Sequence, residues 1–235
     1  MLLASLAIAG CVLAALPAAL SLLNLPRFRR TATAPVSSRG EPLSVLIPAR
    51  NEAERLGPSL DAVRATDDPE LEIVVMDDAS EDGTPNVVLE RARKDARVRL
   101  AEAPALPAGW NGKQHACHAL AQEAHGDIFL FLDADVRLSP DALPRIRHYL
   151  DQSDAALVSG FPQQQTETFL ERLLIPLVHF VLLGYLPFGR MQRTTDPAYG
   201  AGCGQLKVAR SEAYDRTGCH AANRNSRHDG IKLPR

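Results

Sequence analysis

Between residues 43 and 152 short apolar runs alternate with polar segments of helical pattern, and this alternation constrains the fold more than any other feature. "LSVLIPA" (43–49), "LEIVVMDD" (71–78), the weaker "VRLAEA" (98–103) and "IFLFL" (128–132) read as strands, being short, apolar and mostly rich in β-branched or aromatic residues. Between them lie "NEAERLGPSLDAVRAT" (51–66), expected to break near Gly57-Pro58, and "TPNVVLERARKDA" (84–96), with Thr84 as cap and Pro85 just inside. "QHACHALAQEAHG" (114–126) reads as a helix stopped by Gly126, and "SPDALPRIRHYLDQ" (139–152) as one capped by Ser139. Strand-helix alternation of this kind predicts an α/β fold, a mostly parallel sheet with helices on both faces.

In such sheets ligands bind beyond the carboxyl ends of the strands. Three strands end in polar groups: the first in Arg50-Asn51-Glu52, the second in Asp77-Asp78, the fourth in Asp133-Ala134-Asp135. Carboxylates beside an apolar run are costly unless something pairs with them. Along an extended strand residues i and i+2 point the same way, so Asp133 and Asp135 are expected to converge while Ala134 faces away. Two converging carboxylates repel, and a hard divalent cation, Mn2+ or Mg2+, removes that penalty and commonly bridges to phosphates. Lys113 follows Gly109 and Gly112 at a loop-to-helix junction, where an ammonium and free helix N–H groups make an anion site. A plainer structural account exists for some of these residues. Asn51 can cap a helix, and Asp78 can start a turn completed by Ser80, Asp82 and Gly83. His115 and His118 are three apart, with no third ligand at helpful spacing, and read as helix-surface or packing residues rather than a zinc pair.

Residues 1–25 carry no charged side chain, a length sufficient for a membrane-spanning helix. "PRFRR" follows at once, and its arginines favour the cytoplasmic side. The expectation is an uncleaved anchor over 1–25, with a cleaved signal peptide as the competing reading, and a basic, polar tether over 26–42. A domain over 43–235 would then lie in the cytoplasm, at the cell (inner) membrane. "LLIPLVHFVLLGYLPFG" (173–189) is almost purely apolar but interrupted by Pro176 and Pro187; with the residues from 169 it is expected to be an interfacial or re-entrant helix. A formal net charge of -2 offers no basic surplus, so a nucleic-acid partner is not expected. The four cysteines show no CxxC spacing and read as reduced thiols.

Four pieces in order, "SVLIPARNEAERL", "EIVVMDDASEDGT", "GWNGKQHACHALAQEAHGDIFLFLDADVRLSPDAL" and, more loosely, "GAGCGQLKVAR" with "GCHAANRNSRHDGIKLPR", carry a resemblance to the family-2 glycosyltransferases of GT-A (Rossmann-like) fold. The membrane-attached branch acting on lipid acceptors, such as the hopanoid- and carotenoid-associated enzymes, looks similar. The resemblance implies a nucleotide-sugar site built from Pro48, Asn51, Glu52, Asp77, Asp78, Lys113 and Asp133. It implies a divalent metal (Mn2+ or Mg2+) on Asp135 and Asp133, and Asp229 as catalytic base. Many relatives carry Glu-Asp where this chain has His228-Asp229, so the aspartate matches and its neighbour does not. It further implies an inverting transfer from a nucleoside diphosphate sugar, UDP-linked, to a lipid-like hydroxyl. The chain stops a few residues into the segment expected to carry the base, and is expected to be C-terminally incomplete. Two other readings stay open. A nucleotidyltransferase would also set a metal between acids, but would carry a Gly-rich basic loop where this chain has "PARNEAE". The other is a non-catalytic, membrane-tethered module that binds nucleotide sugar.

Overall fold

The computed structural model describes residues 1–32, 40–227, Gly230, Leu233 and Pro234. In chain order the elements are α1 (Leu2–Ala32), β1 (Leu43–Ala49), α2 (Ala53–Arg64), β2 (Leu71–Asp77), α3 (Thr84–Ala92), β3 (Val98–Glu102), α4 (Gly112–Glu123) and β4 (Ile128–Leu132). Then come α5 (Ala142–Asp151), β5 (Leu157–Ser159), α6 (Phe169–Leu174), α7 (Pro176–Tyr185), α8 (Phe188–Met191), β6 (Leu206–Arg210), α9 (Ser211–Thr217) and α10 (Cys219–Ala222). They form two compact units, one of α1 with Gln163–Tyr199, the other of residues 40–162 with the described residues after 199.

The larger unit is built on a six-stranded sheet of order β3-β2-β1-β4-β6-β5. β1 pairs in parallel with β2 and β4, and β2 with β3. β6 runs antiparallel to β4 and β5, so the sheet is mostly parallel with an antiparallel edge. Alternate strand residues feed two cores. Val45, Ile47, Ile73, Val75, Leu130 and Leu132 meet Leu56, Leu60, Val88 and Leu143 from α2, α3 and α5 on one face. Leu46, Val74, Met76, Phe129 and Phe131 meet Ala116, Leu120, Tyr214 and Cys219 from α4, α9 and α10 on the other. A sheet buried on both faces explains why its strands read as near-continuous apolar runs. The expected mostly parallel α/β architecture is therefore the one observed.

Three local expectations give way, two to tertiary contacts and one to a neighbouring side chain. α2 runs unbroken through Pro58. Gly57 lies against the Arg91 guanidinium, and a Cβ there would sit 2.8 Å from Arg91 Nη2, so packing against α3 holds this stretch helical. α4 ends at Ala124, short of Gly126. Gly126 instead lets the chain pass β1: its N–H donates to Ser44 Oγ at 2.9 Å, and a Cβ would lie 2.8 Å from the Ser44 backbone nitrogen. Ser139 does not cap α5, whose N-cap is Asp141; the Ser139 hydroxyl donates to the Asp141 carboxylate at 2.6 Å. α5 is tied down elsewhere, by a buried ion pair of Arg147 with Asp68.

In the smaller unit α1 continues past residue 25 through the arginines to Ala32, so residues 26–32, expected in the tether, are helical. Leu2–Arg29 is long and apolar enough to cross a membrane, with mean hydropathy 2.3 and most side chains exposed. The stretch from 169 forms three short helices. α6 opens with a capping box in which the Glu171 N–H donates to Thr168 Oγ1 and the Thr168 N–H to Glu171 Oε2.

Gly126→Ala forces a methyl group into the backbone of β1, and overpacking of this kind costs about 1–3 kcal/mol. The melting temperature of the detergent-solubilised chain should fall by about 2–4 °C for each kcal/mol lost. Gly83→Ala, whose Cβ would meet nothing closer than Ala53 at 3.8 Å, should leave it unchanged.

Candidate active site

β1 is the strand at which the sheet order reverses, and the loops leaving β1, β2 and β4 open there into a cleft of about 370 Å³. Its lining unites Pro48, Arg50 and Glu52 after β1, Asp78 after β2, Asn111, Gly112 and Lys113 at the start of α4, and Asp133 and Asp135 after β4. Most residues expected to hold a nucleotide sugar or metal thus share one wall-to-wall space, at the switch point where doubly covered sheets bind ligands.

Asp133 and Asp135 reach the cleft by a route other than strand geometry. β4 ends at Leu132, and residues 133–136 form a turn closed by the Val136 N–H donating to the Asp133 carbonyl at 3.0 Å. The alternation nevertheless persists. Leu132, Ala134, Val136 and Leu138 are buried in the core, so Asp133 and Asp135 between them face outward. Lys113 Nζ donates to Asp133 Oδ1 at 2.6 Å, with the lysine side chain 40% exposed and the aspartate 26%. Arg50 lies 3.8 Å from Asp78 across the mouth of the cleft. Four carboxylates and two cations line the space, leaving a formal surplus of two negative charges.

Gly112 permits this crowding, because a Cβ there would stand 3.1 Å from Asp78 Oδ2. Asn111 caps α4, its side chain accepting from the Lys113 N–H at 3.1 Å, so the lysine is fixed on the first turn. The start of α4 and the Lys113 ammonium thus share the lining of the cleft, a pairing suited to an anion. Asn111 is a site residue that the strand-end argument does not reach, and Arg50 is one that it names at a strand tip without a role. The signal for Asn111 was present, a cap-type residue immediately before Gly-Lys.

Asn51 and Asp77 do not line the cleft; they brace the loops that do. The Asn51 N–H donates to Ser80 Oγ at 3.0 Å and its side chain accepts from the Glu81 N–H at 2.8 Å. The Glu52 N–H donates to Thr84 Oγ1 at 2.9 Å and the Ala53 N–H to Asp82 Oδ2 at 3.1 Å. Asp77 Oδ2 accepts from the Ser80 N–H at 3.2 Å, while its Oδ1 is buried without a hydrogen-bond partner among the described residues. Asn51 and Ala79 both adopt left-handed backbone, with φ of 55° and 54°. The turn chemistry of "DDASEDGT" and the capping chemistry of "RNE" therefore join into one hydrogen-bonded lattice. Hydrogen bonding to Thr84, with its hydroxyl the largest contributor, holds the Asp82 carboxyl below the ordinary carboxylate range.

His115 and His118 pack on Trp110, with ring centroids 5.5 Å and 5.3 Å away, and are not arranged as metal ligands. Burial, with His115 beside it, pushes the His118 imidazole below its ordinary value. Among the described residues no group of three or more His, Cys, Asp or Glu side chains is arranged to hold a metal. The expected base, Asp229, and its neighbour His228 lie outside the described residues. The Gly230 carbonyl accepts from the Gly202 N–H at 2.6 Å.

Fold and cleft together define a doubly covered α/β protein of GT-A type, with an acidic cleft at the switch point. The description "Glycosyl transferase family 2" matches residues 44–218, and the chain belongs to that family. A 4,4'-diaponeurosporenoate glycosyltransferase of Staphylococcus aureus is 31% identical over 188 residues, covering 78% of this chain and 48% of the relative. The chain thus spans about half the length of the curated relatives it matches. Among solved structures, a mannosyltransferase from Pyrobaculum calidifontis in complex with GDP-Man and Mn2+ superposes with a TM-score of 0.59 at 24% identity, covering 88% of this chain and 57% of that one. TarS of S. aureus in complex with UDP gives 0.53 at 18% identity, covering 80% and 52%.

Asn51→Ala removes a hydrogen bond, worth about 1 kcal/mol, and places a Cβ residue less tolerant of left-handed backbone at φ 55°. Asn51→Gly removes the same bond but keeps the backbone at ease. Chemical denaturation should therefore find both variants destabilised, with alanine worse than glycine by about 1 kcal/mol. Equal losses would mean that the backbone conformation contributes nothing.

Proposed function

We propose that this chain carries the donor site of an inverting glycosyltransferase that moves a sugar from a nucleoside diphosphate sugar, UDP-linked, to a lipid-like hydroxyl at a membrane. The observation that carries this reading is the convergence of Asp78, Lys113, Asp133 and Asp135 on one switch-point cleft in a family-2 chain. The name of the S. aureus relative, a 4,4'-diaponeurosporenoate glycosyltransferase, supports a lipid-like acceptor. The UDP and GDP-Man complexes of the structural neighbours support a nucleotide donor.

In this reading Pro48 and Glu52 flank the nucleoside, with Glu52 taking a ribose or base donor. Asp78 accepts from the base N–H, while Asp77 holds the Ser80 N–H of the loop behind it. Asn51 keeps the loop in shape rather than touching the ligand. Lys113 and the first amides of α4 take the diphosphate. The donor set at Asp133 and Asp135, one part-buried and one exposed carboxylate in a cleft with surplus negative charge, would suit a hard divalent cation, Mn2+ or Mg2+. Such an ion, when bound, offsets the charge of the leaving diphosphate. Lys113 already neutralises Asp133, and turning to the phosphate frees that carboxylate. Asp229 takes the proton from the acceptor hydroxyl as its oxygen attacks the anomeric carbon, a single displacement that inverts configuration. α1 serves as the anchor, and the arginines at its end set the larger unit on the cytoplasmic side of the cell membrane. Protease added outside intact spheroplasts should then spare the larger unit; its digestion would reverse the orientation.

Calorimetry with UDP, with and without Mn2+, tests the donor site. Asp135→Ala should lose the Mn2+-dependent part of UDP binding while its melting temperature stays in place. Unchanged binding would sink the metal assignment. Asp229→Asn should keep UDP-sugar affinity and lose transfer, and a variant that still transfers would send the search for the base to His228.

A further inference from the structure

The smaller unit has a geometry that the donor site does not use. α7 lies along α1 with identifiable levels of contact. His179, near its start, meets Phe28 edge to ring, with centroids 6.2 Å apart. Gly184, near its end, is buried against Pro17 and Ser21; a Cβ there would lie 3.1 Å from Pro17 Cβ. The chain then reverses at Leu186-Pro187, and Gly189 of α8 lies against the Arg27 guanidinium, 3.2 Å away by the same measure, where that group donates back to the Leu23 carbonyl. The segment therefore descends along α1 from its arginine end, turns, and comes part of the way back. Between the contacts at His179 and Gly184, α7 advances about 7.5 Å at 1.5 Å per residue. That is about a quarter of the ~30 Å thickness of a bilayer core.

We propose that α7 and α8 form a re-entrant hairpin, seated in one leaflet of a lipid bilayer against α1. The inference rests on reading α1 as a membrane span. Two observations select lipid as the occupant of the exposed face. Leu177, Val178, Phe180, Val181 and Tyr185 of α7 are each about half exposed or more, on the same unit as the apolar surface of α1. At the turn, the side-chain amide of Asn24, itself 1% exposed, donates to the Leu183 carbonyl at 2.8 Å and to the Leu186 carbonyl at 2.6 Å. Carbonyls left open at a helix end find water at an aqueous surface. At membrane depth they have no solvent to turn to, and irregular backbone survives there only when the protein itself supplies the partners. Asn24 supplies them from the neighbouring helix.

The test uses the full chain in phosphatidylcholine vesicles, with tryptophan as the depth probe. Trp110 is the only native tryptophan. In a Trp110→Phe background, Tyr185→Trp should lose more fluorescence to lipids brominated deep in the acyl chain than to lipids brominated near the headgroup. Leu13→Trp, in the middle of α1, is the reference. Loss at Leu13→Trp without loss at Tyr185→Trp overturns the hairpin and leaves the anchor standing. Loss at neither overturns both. Sidedness completes it, in chains carrying Cys11→Ser. A membrane-impermeant maleimide should reach Arg29→Cys and Arg193→Cys from the same face of the vesicle. Labelling from opposite faces would mean a full crossing and would overturn the re-entrant path.

Discussion

The parallel pairing of β1 with β2 on one side and β4 on the other is the constraint on which the cleft depends. The register sets Ala49 beside Asp77 and Leu46 beside Phe131, so the three chains leave the sheet at neighbouring points and on the same edge. Each strand is apolar on both faces because each is covered on both faces, and this leaves the strand tips as the place where polar groups can collect. A one-residue slip in either pairing would send Ile47 and Leu130 to the wrong core and carry the acids away from one another. Burial of the strands thus does electrostatic work at a distance. It holds Asp78, Asp133 and Asp135 close enough that they need cations, and Arg50 and Lys113 answer part of that need.

The sheet was legible in the sequence because its signal is local. β1, β2 and β4 lie where runs of buried residues end in turn-forming or acidic ones, and no other element of this length suits such a run. The departures share one cause. Pro58 in isolation ends a helix, yet α2 passes through it, since Arg91 of α3 packs on Gly57. Gly126 in isolation stops a helix, yet its reason for being glycine is the backbone of β1. Ser139 has the look of a cap, but a carboxylate two residues on takes its hydroxyl. In each case a contact far away in sequence or a competing side chain overrides a propensity worth about 1 kcal/mol. The antiparallel edge of β5 and β6 was hidden for a different reason: β5 is three half-buried residues long, and β6 breaks its apolar run with Lys207 and Arg210.

The cleft was legible to the level of residue type and strand end, and less so to the level of the individual side chain. Asp77 and Asp78 are adjacent and chemically identical, and only the fold separates them, one into the loop lattice and the other into the cleft. Asn51 illustrates the same ambiguity. Its side chain bonds the Glu81 N–H and its backbone is left-handed, so the structural and functional accounts of "RNE" divide between neighbours, Asn51 bracing and Glu52 facing the cleft. For Asp133 and Asp135 the outward direction was right although the strand argument was not. A turn replaces the strand at that point, and burial of Ala134 and Val136 preserves the alternation that a strand would have given.

Three asparagines show how the two units solve one problem in different surroundings. Asn111 accepts a free N–H at the start of α4, Asn51 accepts one in the loop that crosses to "SEDGT", and Asn24 donates to two carbonyls where α7 ends. Each sits where regular structure stops and backbone groups lose their partners. At Asn111 and Asn51 the groups are near water, which could take them, so the side chains choose one loop geometry among several that hydration would permit. Asn24 is buried between helices whose outer faces are apolar, where hydration offers no alternative. The same kind of amide therefore selects a conformation in the larger unit and, from within an uncharged run of 25 residues, makes the end of α7 tolerable in the smaller.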